Sequence, residues 1–421
     1  MNVLMLVMTD VAHDSRVLRE ALALAERGHT VHIVGKDVPQ HWVPPRGVTV
    51  ESVSGGTGLK PGRQTGDSSS PTAPQRTAAS RTALRRTARW LLLPQHRRRV
   101  WRTWNARARA AVRSRKFDFD VVHAHDFNVL RLAARLAEQE RARLVYDSHE
   151  FWSGRERHGR PTPWERARER WIERTLIRRA DAVLTVSDGI AQRLGQWRGR
   201  PVAVVRNTFP ARGPIAGPNP SPIASPSPRS NPGTPLPQRP SGVVYAGRIG
   251  AARDLETLLS GAAAAGLDTC LMGQVDREYL HRIRATTGTV RIEPARPVDQ
   301  VDDVLRRFGI SVVTLTDTCA NHRMALPNKL FHAVRAGVPV VAADLPELRR
   351  AVTRYGLGRL YRPGDAESMR VALECVIAEY PRWCEQVARA AGELSWQRDA
   401  AVLVGVYDAL NATDATPAAT R

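Results

Sequence analysis

The sequence predicts an α/β chain built from two doubly wound parallel-sheet domains. Three observations carry this. Short apolar runs alternate with amphipathic helical stretches from the first residue onward, the pattern of parallel strands covered by helices. A Pro- and Ser-crowded segment at 211–240 interrupts that alternation, which then restarts. And 421 residues exceed what one hydrophobic core usually holds, which makes two domains the natural organisation.

In the first half, strands are expected near 3–8, 30–34, 48–53, 120–124, 144–146, 182–186 and 202–205. The opening apolar run is too short for a secretory core, lacks a basic start and leads straight into Thr9-Asp10, so it reads as a buried first strand. The helix after it starts near Asp14-Ser15, which can cap its free amides. It carries Val17, Leu18, Ala21, Leu22, Leu24 and Ala25 inward and stops at Gly28. A disordered insert is expected at about 54–80. It leads into a basic helical region at 81–116, rich in arginine, free of acids and interleaved with Trp90, Trp101 and Trp104. Such a face suits docking on an anionic membrane; the more ordinary reading is a helix solvated on one side and packed by its Trp residues on the other.

The segment 211–240 has scarcely any large apolar residue, cannot offset the entropy of ordering and reads as a linker. Beyond it, strands are expected near 243–246, 269–272, 290–292, 310–315 and 338–342. The expected organisation is thus a Rossmann-like domain at 1–210, the linker 211–240, a second Rossmann-like domain at 241–394, and a segment 395–421 whose helix crosses back to the first domain. Two such halves leave a cleft at the carboxyl ends of both sheets, where folds of this kind bind ligands.

Composition narrows the function classes. Lys+Arg 63 against Asp+Glu 41 gives a net charge of +22, suited to phosphate-rich partners. Lysine occurs only at positions 36, 60, 116 and 329. Cys270, Cys319, Cys375 and Cys384 form no C-x-x-C pair or zinc-like spacing, which fits a reducing cytoplasm and suggests neither disulfides nor a structural metal. No run approaches the length of a spanning helix, so membrane contact is expected to be peripheral, at the inner face of the plasma membrane. No reading helix or aromatic platform for nucleic acid stands out.

The chemistry concentrates at 325–342. Pro327 suits a first helical turn, leaving the following amides unpaired, so that Lys329 sits where a phosphate meets both helix dipole and ammonium; Gly337 ends the helix. This stretch resembles the donor-binding motif of retaining GT-B glycosyltransferases of family 4. Val244-Tyr-Ala-Gly247-Arg248, with Arg253 where that family has a Lys, is similar to its strand-Gly-Arg turn. The resemblance implies that Arg248, Arg253 and Lys329 hold the diphosphate of a nucleotide sugar, with Gly247, Asn328 and His332 near its nucleotide or sugar. Fixed cations can stabilise charge on a departing diphosphate, so no cofactor or metal is expected beyond a UDP- or GDP-sugar as co-substrate.

In the first half, Asp120-Val-Val-His123-Ala-His125 resembles the family's strand-end motif, which implies that His125 faces the transferred sugar as the catalytic residue. A structural histidine is the alternative. Val145-Tyr-Asp147-Ser-His149-Glu150 resembles a second motif found in part of the family. His149, Glu150, Asp14, Arg16 and Asn207 are acceptor-side candidates, although Asp14 can instead simply cap its helix. A metal held by His123, His125 and His149 has weak support from strand-end spacing, and Asp118-Phe-Asp120 precedes its strand, so it is rejected as a cation site. One departure is plain: the family's two glutamates two turns apart become Met324 and His332. A His can bond a hydroxyl and a Met cannot. The expected activity is hexosyl transfer with retention to an unidentified acceptor. The alternatives are a sugar-nucleotide epimerase or a catalytically idle nucleotide-sugar or polyanion binder.

Overall fold

The structure, a computed structural model, describes residues 1–39, 41–55, 99–115, 117–156, 163–211, 235–287 and 290–412. It separates into two compact units: Met1–Ser148 with Arg157–Val183, and His149–Glu156 with Leu184–Arg421. The division falls inside one strand, β6 (Ala182–Thr185).

One sheet contains β1 (Asn2–Leu6), β2 (Thr30–Lys36), β3 (Val48–Val53), β4 (Val121–His125), β5 (Arg143–Ser148), β6 and β7 (Ala203–Val204), in the order β3-β2-β1-β4-β5-β6-β7. Pairing is parallel, with Val3 opposite both Val31 and Val121. Residues Val3 to Leu6 of the interior strand β1 are wholly buried, as a strand covered on both faces requires. Each such side chain contributes roughly 1.5–3 kcal/mol. The strand order reverses around β1, so the loops after β1 and β4 flank a topological switch point.

The other sheet contains β8 (Gly242–Ala246), β9 (Asp268–Met272), β10 (Arg291–Glu293), β11 (Gly309–Val313), β12 (Val340–Ala343) and β13 (Gly358–Tyr361), in the order β10-β9-β8-β11-β12-β13. Here the reversal lies between β8 and β11, and Gly247 follows β8 directly. Gly273 must be a glycine, because a Cβ there would lie 2.0 Å from the Gly247 carbonyl oxygen.

The α/β expectation is met, with local differences. Helix α1 (Ser15–Glu26) is capped by Asp14, and Gly28 stands past its end at φ +88°. Its buried stripe includes Arg16 and Glu20, whereas the expected inward Leu18, Leu22 and Ala25 are only half-buried. Strand β12 starts two residues later than expected, because Val338 still donates to Ala333 and closes the end of the preceding helix. Strand β13 was not anticipated: Gly358-Arg-Leu-Tyr has no apolar alternation, and its pairing with β12 makes it a strand.

The described part of the basic region forms helix α2, 99–114, in which Trp104 is wholly buried and Trp101 meets Phe127 edge-on at 6.3 Å. Residues 56–98 of the expected insert and basic region, and 212–234 of the expected linker, lie outside the described residues. Helix α14 (Trp396–Ala412) packs beside β7, with Trp396 donating to the Phe209 carbonyl and Thr208 to Asp399. Among the described residues no helix is long and apolar enough to cross a membrane.

Candidate functional site

In the second unit, the loop after β8 and the start of helix α10 (Asn328–Ala336) bring polar groups together. Pro327 is the N-cap rather than the first helical residue, and no side chain caps the amides behind it. Lys329, in the first turn, is 7 % exposed, and its Nζ sits 4.4 Å above the centre of the Tyr245 ring. A Cβ at Gly247 would touch both Tyr245 Oη and Lys329 Cε, at 3.4 and 3.5 Å, so the backbone of this turn lies directly against the lysine. Burial, with a smaller contribution from the charge of Arg253, lowers the Lys329 ammonium from 10.5 to about 7. Burial likewise pushes the Tyr245 hydroxyl up to about 12, with Arg253 opposing. Gly247, Arg253 and Lys329 are therefore neighbours, and Arg248 stands exposed on the same turn. Two cations in electrostatic contact beside uncapped helix amides make a cradle for an anion, whose arrival would relieve the repulsion between them.

The turn is held in a demanding conformation. Ala252 and Asp254 both adopt positive φ, 63° and 55°, which costs a non-glycine residue about 1 kcal/mol or more each. The nearly buried Asp254 carboxylate offsets this by accepting from Tyr361 Oη at 2.8 Å, the Gly364 amide at 3.1 Å and Thr257 Oγ1 at 2.7 Å. Tyr245 adds a hydrogen bond of 2.9 Å to the Arg248 carbonyl. Tyr361 carries no local signal in the sequence, and Tyr245 and Asp254 take these roles only through their partners. The signal that could have pointed to one of them is the placement of Tyr245 in β8, two residues before Gly247.

Asn207 Nδ2 donates to Asn328 Oδ1 at 2.8 Å, which ties the chain after β7 to the first residue of α10. His332, one turn on, packs its ring against Phe209, centroids 4.3 Å apart and tilted by 38°, with Nδ1 3.7 Å from the buried Asp302. Met324 ends helix α9 (Ala320–Met324), and its carbonyl accepts from Ser187. Glu347 was also missed. Its carboxylate accepts from the Asp188 and Gly189 amides at the start of helix α5 (Asp188–Arg198), and burial raises its pKa. The segment 149–156 belongs to this unit: Phe151 donates its amide to Asn321, Glu150 pairs with Arg155, and the Arg155 guanidinium lies 3.4 Å over Trp152. His149 is half-buried beside it.

In the first unit, the strand-end histidines enter a buried charged network. His125 is wholly buried, its Nδ1 3.3 Å from Asp147, and its ring stacks on His123 at 4.3 Å and 16°. Arg16 donates to both Asp147 oxygens at 2.8 Å and lies 3.0 Å from Glu20, which faces His123 at 3.8 Å. Arg16, expected on the acceptor side, is therefore buried in this network. Asp14 is engaged as the cap of α1 and accepts from Thr9. Glu20, His123, His125 and Asp147 offer ligand atoms within 4.8 Å of one another, close enough for a cation, and His149 is not among them. The Arg16 guanidinium already bridges the two carboxylates of that set. Asp120 lies ahead of β4 and accepts from the Asn2 amide.

Residues 13–208 match the Glycosyl transferase 4-like domain. Among solved structures, sucrose-phosphate synthase from Thermosynechococcus elongatus superposes with a TM-score of 0.68 at 15 % identity, over 98 % of this chain and 100 % of that one. HepE of Anabaena, in complex with UDP-glucose, gives 0.63 at 15 % identity, over 98 % and 100 %. The lipopolysaccharide outer core galactosyltransferase WaaB, in its apo form, gives 0.58 at 12 %, over 97 % and 99 %. No curated protein sequence matches the chain. At these identities the structural likenesses establish the fold.

Proposed function

We propose that this chain, a GT-B glycosyltransferase of the family 4-like kind, transfers a hexosyl group from a UDP- or GDP-sugar to an acceptor with retention of anomeric configuration. The observation that carries the reading is the buried Lys329 ammonium over Tyr245, at the uncapped start of α10 and beside Arg253. In this reading the donor diphosphate lies on Arg248, Arg253 and Lys329 and the nearby helix amides. The Gly247 turn leaves room for its close approach. Asn328 orients the nucleotide or sugar, with Asn207 fixing Asn328 through their hydrogen bond. His332 serves at the ribose by ring contact, since its Nδ1 faces Asp302.

During transfer the bond from the anomeric carbon to the diphosphate oxygen breaks on the same face on which the acceptor oxygen bonds. The acceptor proton passes to the departing phosphate oxygen. These three cations neutralise charge as it develops, a role in which fixed groups outperform reorganising water. His125 is assigned to the transferred sugar by resemblance, with Asp147 orienting its ring. Asp14, Arg16, His149 and Glu150 belong to the acceptor side in the same reading, Arg16 acting through Asp147.

UDP and UDP-glucose are bound by HepE, which supports a uridine donor as the first to try. Thermal unfolding with UDP-, GDP- and ADP-sugars, followed by release of free nucleotide from the donor that stabilises, tests the proposal. A ligand bound only by the native state raises the melting temperature. The expected result is stabilisation by one nucleotide class and turnover with an acceptor. Absence of stabilisation by all three classes contradicts it.

A further inference from the structure

A second cationic feature lies within the first unit, formed by α2, α3 (Phe127–Glu140) and α4 (Pro163–Arg179). It is a cavity of about 580 Å³ whose lining includes Arg102, Arg109, Arg131, Arg135 and Arg168 but a single acid, Glu169. Among the described residues, Arg102, Arg131, Arg135 and Arg168 have no carboxylate partner, and Arg109 donates to the uncharged Gln139. Partial burial, together with the charges of Arg168, Arg135 and Arg102, holds the Arg131 guanidinium below its ordinary value. Trp101 and the buried Phe127 form an apolar floor. Five guanidinium groups converging on one concavity repel each other, and an anion with several acceptor oxygens offsets that repulsion.

Helix α4 carries a second, independent feature. Trp164 and Trp171 are 82 % and 67 % exposed. They are seven residues apart with Arg168 between them, so the three share one helical face, and Arg168 also lines the cavity. Large indoles left in solvent beside guanidinium groups match the chemistry of a bilayer interface, where the ring sits at headgroup level and the cation meets phosphate.

We propose that this cavity binds the phosphoryl group of an anionic lipid, with Trp164 and Trp171 entering the headgroup layer alongside it. The surface is distinct from the cradle around Lys329 and does not depend on the proposed donor.

The test is partition of the full chain onto vesicles of phosphatidylcholine alone and of phosphatidylcholine with phosphatidylglycerol. Five proteins are compared: wild type, Arg131→Gln/Arg135→Gln, Arg131→Lys/Arg135→Lys, the charge-matched control Arg382→Gln/Arg389→Gln, and Trp164→Ser/Trp171→Ser. Wild type should bind the anionic vesicles and not the neutral ones. The cavity pair should lose roughly thirtyfold in affinity, the effect of two basic groups at an anionic surface, and the control pair less than threefold. The tryptophan pair should also lose binding. Arg131→Lys/Arg135→Lys keeps the charge and should restore most of it. It also separates a binding defect from a folding defect, as does unchanged thermal unfolding of the glutamine pair. Equal losses in the cavity and control pairs would reduce the effect to net charge and overturn the proposal. So would saturable, cavity-dependent binding of inorganic pyrophosphate with no binding to vesicles.

Discussion

Replacing Lys329 with methionine should make the unliganded protein more stable at neutral pH while abolishing its response to nucleotide. Burial lowers the folded-state value from 10.5 to about 7, so across that window the unfolded chain holds the proton and the folded chain does not. Stability therefore rises with pH between about 7 and 10.5, and below 7 the full cost of the buried charge is present. At pH 7 the lysine withholds roughly 4 kcal/mol relative to an uncharged side chain, and at pH 9 about 2 kcal/mol. The methionine fills the stem's volume without the charge and loses only the contact over Tyr245, worth about 1–2 kcal/mol. Denaturant unfolding of wild type and variant at pH 6, 7, 8 and 9 reads the effect. Wild-type stability should climb with pH and the variant's should not, so that their difference narrows toward pH 9. A constant difference across the series, or a wild type that loses stability on going from pH 7 to 9, would refute the reasoning that this ammonium is buried and strained.

Other outcomes follow from neighbouring groups. Arg253→Gln removes a cation facing Lys329, so kcat/KM with the donor should fall about 10²–10³-fold, and the midpoint of the wild-type stability rise should move to higher pH because a lowering charge is gone. Asp254→Asn withdraws an acceptor from the strained turn; denaturant unfolding should show a loss of about 1–3 kcal/mol, and calorimetry a weaker nucleotide affinity. Asp147→Ala leaves the buried Arg16 short of its bidentate partner and should cost about 3–5 kcal/mol in urea unfolding. A value under about 1 kcal/mol would mean the network is dispensable.

Much of this was legible in the sequence because the signals are local. Uninterrupted apolar runs such as Val3 to Leu6 mark strands buried on both faces, and Asp14 and Gly28 bracket α1 by capping chemistry that one turn of helix decides. The Gly247-Arg248 turn was picked out by its resemblance to the family 4 motif, and Lys329 by that resemblance, its place in a first helical turn and the rarity of lysine. What escaped depends on distant partners. Arg16 and Glu20 look like solvated positions on a helical wheel, yet they are buried because Asp147 and His123, more than a hundred residues away, neutralise or face them. Strand β13 has no alternation of its own and is made by its ladder to β12. Asp254 reads as an ordinary helix cap, whereas Tyr361 and Gly364 recruit it to hold a turn with two positive φ angles. Phe209 and Asp302 claim His332 in the same way.

Proton uptake on nucleotide binding tests the account most directly. An anionic diphosphate against Lys329 must raise an ammonium that stands near 7 in the free protein. Calorimetric titration of UDP or GDP at pH 8, in two buffers of different ionisation enthalpy, should then show about one proton taken up per nucleotide bound, and none with Lys329→Arg. Tight nucleotide binding without proton uptake, or with equal uptake in wild type and Lys329→Arg, would contradict it.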